Sequence, residues 1–152
     1  MNRFTMQLDE SKPRFKVGSR AFFEGLPGFN PRDIDEVEFE ENPKLYKNVM
    51  QFRAHNKGRC LFKWRKMSAD EFVEYTLHSK LPMEIGKFLV PEVAQYLGFT
   101  FDHLRRLAPV VDKLDDKHLY EKIIYDCYIM NGAWKLDEES RWRAYEVYLK
   151  YR

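Results

Sequence analysis

Asp33 and Asp35 stand two residues apart with Ile34 between them, and Gly18 and Ser19 precede them in the same short segment, KVGSRAFFEGLPGFNPRDIDEVEF, residues 16–39. On a strand, positions i and i+2 share a face, so the two carboxylates are expected side by side while Ile34 turns the other way into the core. Paired carboxylates suit a hard divalent cation. Mg2+ takes oxygen ligands, commonly one or two carboxylates, with phosphate oxygens and water completing the shell. A Gly-Ser turn at a strand end offers what a phosphate needs: backbone amides that can be approached closely, the Ser19 hydroxyl, and the cation of Arg20 directly after it. The two halves of the segment complement each other around one metal-bound phosphate chain.

The elements that must position these residues change character near Ser68. Before it lie short extended candidates separated by Gly, Pro and Asn: RFKV (14–17), DIDEVEF (33–39) and RCLFKWRKM (59–67). After it the pattern turns helical. Ser68 and Glu71 form a capping-box signature ahead of ADEFVEYTLHSK, and Pro82 is placed to open a helix over MEIGKFL. PEVAQYLG, FDHLRRLAPVVDKL, DDKHLYEKIIYDCYIMNG and LDEESRWRAYEVYLKYR continue the series; Gly98 and Gly132 mark ends, and Pro91 and Pro109 are expected to kink or break their helices. The expected architecture is α+β, an N-terminal mixed sheet over residues 1–67 and a helical region over 68–152 packed on it.

Composition narrows the classes. The 152 residues are 44% hydrophobic and 16% aromatic, too apolar for a disordered chain, and 33% charged. A formal charge of +2 gives no global attraction to phosphate, so any such attraction must be local. No stretch approaches the roughly 18 apolar residues of a membrane span. Cys60 and Cys127, each in an apolar stretch, read as buried thiols, which fits a reducing cytoplasm. The four histidines show no metal-ligand spacing, and the C-terminal aromatics from Tyr120 to Tyr151 fall at helical spacings that suit a core or a partner surface. Arg53, Lys57, Arg59, Lys63, Arg65 and Lys66 interleave with Phe52, His55, Phe62 and Trp64. That mixture binds single-stranded nucleic acid, and it equally describes a solvated strand face with its aromatics turned inward.

Val17, Gly18 and Ser19, a spacer of roughly a dozen residues, then Asp33, Ile34 and Asp35 together resemble the polymerase-beta-like nucleotidyltransferase superfamily, in particular its small bacterial members. The resemblance implies that Gly18, Ser19 and Arg20 hold a nucleoside triphosphate and that Asp33 and Asp35 are the catalytic, metal-ligating pair for Mg2+ or another divalent cation. The family takes a third carboxylate from a later strand; here RCLFKWRKM brings Lys63 and Arg65, expected to contact the triphosphate. Glu36 replaces the apolar residue usual after the second acid, so a bulge or an early strand end is expected there, and only such a bulge would turn Glu36 or Glu38 toward the site. Two functions follow. One is transfer of a nucleotidyl group to an acceptor by metal-assisted in-line attack. The alternative is a catalytically degraded fold that binds nucleic acid, through the basic 53–66 segment, or protein.

Overall fold

The computed structural model describes residues 14–29, 34–40, 51–56, 59–78 and 85–151, with side chains at all of these except 34, 35, 40, 51–56 and 59–65. The chain divides into two compact units, Met1–Lys66 and Met67–Arg152, and is mixed α+β.

In the first unit, strand β1 (Arg14–Val17) leads through Gly18 into a short helix, α1 (Ser19–Phe23). Strands β2 (Ile34–Glu40), β3 (Gln51–Asn56) and β4 (Arg59–Arg65) follow. The four strands form one sheet in the order β1-β2-β4-β3. β1 runs antiparallel to β2, β2 parallel to β4, and β3 antiparallel to β4. Val17, Val37 and Phe39, which share one parity across β1 and β2, are buried, and the rings of Phe15 and Phe39 meet edge to face at 6.2 Å. Phe22, Phe23 and Leu26 of α1 and the loop after it add to this core.

The bulge expected at Glu36 is absent. β2 pairs with β1 in unbroken register from Arg14↔Glu38 to Val17↔Asp35, and with β4 from Ile34↔Arg59 to Glu40↔Arg65. The alternation survives because the second face of β2 has its own means of holding an acid. Glu38 is 1% exposed, and the cross-strand Arg14 donates Nε–H to its Oε1 at 3.4 Å. A guanidinium beside the buried carboxylate offsets part of its desolvation cost without a kink in the strand.

The second unit is helical: α2 (Ala69–His78), α3 (Pro91–Leu97), α4 (Phe101–Arg106), α5 (Ala108–Val111), α6 (Leu119–Asn131) and α7 (Glu138–Lys150), with 3-10 turns at Ile85–Lys87 and Asp116–His118. The Ser68–Glu71 capping box forms as read: the Glu71 N–H donates to Ser68 Oγ at 3.2 Å, and the Ser68 N–H donates to Glu71 Oε1 at 3.3 Å. Pro91 does not kink a helix; it opens α3 at its first turn, where its missing N–H costs nothing. Pro109 lies in the first turn of α5, beyond the break at Leu107 that separates it from α4. Gly98 and Gly132 take the left-handed conformation that ends α3 and α6. Instead of the helix expected over MEIGKFL, the described part of that stretch holds a 3-10 turn. From Ile85 to Val90 every residue is buried, and Phe88 packs between Phe72 (5.3 Å) and Phe99 (4.9 Å). Among the described residues no helix is long and apolar enough to cross a membrane.

Candidate functional site

Gly18 sits at φ 75°, ψ −166°, a backbone conformation essentially closed to residues with a Cβ. It turns the chain from β1 straight into α1, with the Ala21 N–H donating to its carbonyl at 3.0 Å. Ser19 and Arg20 are the first two residues of α1 and are half-buried. The residue before the turn, Val17, is the register partner of Asp35. Val17 is thus about one inter-strand spacing, ~4.8 Å, from the Asp35 position, and Gly18 and Ser19 follow it directly in the chain. Asp33 lies outside the described residues, so the geometry of the aspartate pair rests on its Asp35 half.

Arg20 has a partner that sequence reading did not anticipate. Arg20 Nε and Lys16 Nζ both donate to Glu24 Oε2, at 3.0 and 2.7 Å. These two cations, Lys16 first, hold the Glu24 carboxyl below its usual range. An i, i+4 spacing from Arg20 to Glu24 on a short helix was the available signal.

The parallel register of β2 and β4 separates Lys63 and Arg65 from Asp35. Lys63 pairs with Glu38 and Arg65 with Glu40, whereas Asp35, Val37 and Phe39 pair with Cys60, Phe62 and Trp64. By parity Lys63 and Arg65 belong with Glu36, Glu38 and Glu40, on the opposite face of the sheet from Asp35. Glu38 likewise stands on that face and is committed to Arg14. At the parity of Asp35, β4 supplies no acid. Of the basic 53–66 segment only Lys66 has a described side chain, and it is exposed.

In the second unit several titratable groups cap helices or bind one another. His103 Nδ1 accepts from the Thr100 N–H at 2.9 Å in a capping box, which leaves the proton on Nε2 to donate to Asp70 Oδ1 at 2.9 Å. Asp137 caps α7 by accepting from the Ser140 N–H at 2.8 Å, and this bond, followed by those from the Ser140, Cys127 and Asn131 side chains, lowers its carboxyl pKa to about 2. Cys127, buried between α6 and α7, donates to the same carboxylate at 3.3 Å. Glu121 is 4% exposed, and its Oε1 meets His118 Nδ1 at 3.1 Å. Among the described residues no three His, Cys, Asp or Glu side chains converge to hold a metal ion.

No protein-family model, curated protein or solved structure matches the chain.

Proposed function

We propose that this protein is nucleotidyltransferase-like and binds a Mg2+-nucleoside triphosphate where the Gly18–Ser19 turn meets the first residues of β2. The observation that carries this reading is the register Val17↔Asp35, which sets a strand-to-helix turn that demands glycine beside an acidic strand start. The donor set fits the ion: Asp35, with Asp33, supplies hard carboxylate oxygens for Mg2+, and the amides and hydroxyl of the turn suit phosphate oxygens. When bound, the metal supplies charge neutralisation on the phosphates. The chain's own part is to hold the triphosphate at the turn and to exclude water along the apolar rows beyond Asp35.

A second reading is favoured by one observation, the absence of an acid at Asp35's parity on β4. Without a third carboxylate the acceptor hydroxyl lacks a base, whose help is typically worth about 10² to 10⁴ in rate. The protein on this reading binds the triphosphate and transfers slowly or not at all, as a binding module for nucleic acid or protein in a cytoplasmic setting. Titration calorimetry with each triphosphate and Mg2+ tests the site: Mg2+-dependent binding lost in Asp35→Asn supports it, and no binding of any triphosphate refutes it. Pyrophosphate release with candidate acceptors separates the two readings; brisk release abolished by Asp35→Asn would show that a base exists.

A further inference from the structure

Lys16 Nζ and Arg20 Nε donate to the same oxygen, Glu24 Oε2, at 2.7 and 3.0 Å. Two cations, one from β1 and one from α1 on either side of the Gly18 turn, thus converge on a single oxyanion oxygen. We propose that Lys16 and Arg20 form a clamp for a phosphate group of the bound triphosphate, and that Glu24 is its built-in occupant, displaced when the phosphate enters. For the identity of this ligand the clamp rests on the proposed function.

The turn that builds the candidate site also builds the clamp. Lys16 lies two residues before Gly18 and Arg20 two residues after it, and the i, i+4 spacing sets Glu24, the first residue beyond α1, against Arg20. A ligand reaches all three from solvent: the side chains of Lys16 and Glu24 are 47% and 48% exposed and that of Arg20 is 26% exposed. Glu24 balances only one of the two cations, and its bond to Arg20 uses the Nε–H of a guanidinium that carries five donors. A phosphate group brings more charge and more oxygens than one carboxylate oxygen, and it can engage the guanidinium in bidentate fashion while meeting the ammonium. Exposed carboxylate pairs contribute little net stability, so Glu24 leaves at small cost. Glu36, the register partner of Lys16, adds a negative charge on the sheet side. The clamp therefore selects a group that touches both cations and does not draw anions from a distance. Lys16 stands at the parity opposite to Asp35, so the grip on phosphate does not pass through a metal ion at Asp35 and is measured without one.

The full chain is titrated with tripolyphosphate in the presence of EDTA and followed by amide chemical shifts. Shifts over Lys16 to Glu24 are expected. Each exposed pair moves an equilibrium by about 1.4- to 5-fold, so Glu24→Gln is expected to tighten binding by about 2- to 25-fold. Lys16→Gln and Arg20→Gln each weaken it, and Glu24→Gln brings no gain when both cations have been replaced. Absence of shifts over these residues in both the parent and Glu24→Gln overturns the proposal. An equal gain from Glu24→Gln in the Lys16→Gln/Arg20→Gln background, an effect of net charge alone, does so too. Circular dichroism confirms that each variant is folded, and the exposed Lys16→Gln carries the test if the half-buried Arg20→Gln does not fold. Titrations with Mg2+-triphosphate keep the two readings apart. Binding that is lost in Asp35→Asn but indifferent to Lys16→Gln and Glu24→Gln overturns this inference alone. Tripolyphosphate binding that follows the clamp variants, beside triphosphate binding indifferent to Mg2+ and to Asp35→Asn, overturns the proposed function alone.

Discussion

Replacing Gly18 with asparagine separates this turn from an ordinary helix N-terminus by the sign of its effect. At a conventional N-cap, with negative φ, asparagine is as good as or better than glycine by a few tenths of a kcal/mol. Gly18, however, has φ 75° and ψ −166°. That region is effectively reserved for glycine, and holding another residue there costs about 1–3 kcal/mol. The penalty corresponds to about a 5- to 150-fold increase in the opening equilibrium of the segment. Gly98 provides the internal control: its φ 78°, ψ 25° is the left-handed conformation that asparagine tolerates, so Gly98→Asn is expected to cost much less. Hydrogen exchange read by mass spectrometry reports each locally, with peptides over 14–29 and 34–40 for the turn and over 91–106 for the control. Deprotection of the first set in Gly18→Asn, with little change of the second in Gly98→Asn, is the expected outcome. If Gly18→Asn protects β1 and α1 as well as the parent does, the turn is an ordinary cap and the argument for a phosphate-approachable glycine fails.

Three further predictions concern the second unit. A Cβ on Gly86 would lie 2.9 Å from the carboxyl carbon of the buried Glu121, which must shift to admit it. Gly86→Ala is therefore expected to cost about 1–3 kcal/mol in urea unfolding and appreciably less in a Glu121→Ala background; equal costs in both would contradict the contact. The His118 pKa is raised above 6.5, chiefly by its hydrogen bond to Glu121. The folded-state value exceeds the unfolded one, so this pair's stabilisation is complete below about pH 6.5 and fades as pH climbs through the folded value. Exchange protection at the start of α6 should fall over that window in the parent and not in His118→Gln. Phe88, wholly buried between Phe72 and Phe99, should cost about 3–5 kcal/mol as Phe88→Ala; a loss under 1 kcal/mol would mean that the ring is not the centre of that cluster.

Legibility in the sequence followed the strength of the local signal. β1, β2 and β4 carry alternation or a breaker at each end, and the Ser68–Glu71 box, Gly98 and Gly132 mark helix ends by side-chain and backbone chemistry alone. α1 was hidden because SRAFF is one turn and a half, too short for a period to show, behind a glycine that reads as a turn. β3 was hidden because the alternation in QFRAHN amounts to Phe52 and Ala54 alone, although Lys57-Gly58 between it and β4 is a hairpin signal. The stretch from Ile85 to Val90 misled because every position there is buried, Lys87 included, so no exposed face gives the run a period. For the site, spacing joined the Gly-Ser turn to Asp35, and the register pairs Asp35 with Val17, the residue before that turn. Spacing alone could not give the parallel pairing of β2 with β4, which sets Lys63 and Arg65 at the opposite parity and Cys60 and His55 in the row of Asp35. That pairing is a long-range event with no local signature.

The central claim is that Gly18, Ser19 and Asp35 serve one metal-bound triphosphate, and paramagnetic broadening tests it most directly. Mn2+ substituted for Mg2+ with a non-hydrolysable nucleoside triphosphate broadens amide signals close to the ion. Joint broadening of Val17 to Arg20 and of Ile34 to Glu36, dependent on the triphosphate and lost in Asp35→Asn, is the expected result. Broadening confined to exposed acids of the second unit such as Asp115 and Asp116, or broadening near Asp35 that leaves Gly18 and Ser19 sharp, would contradict it.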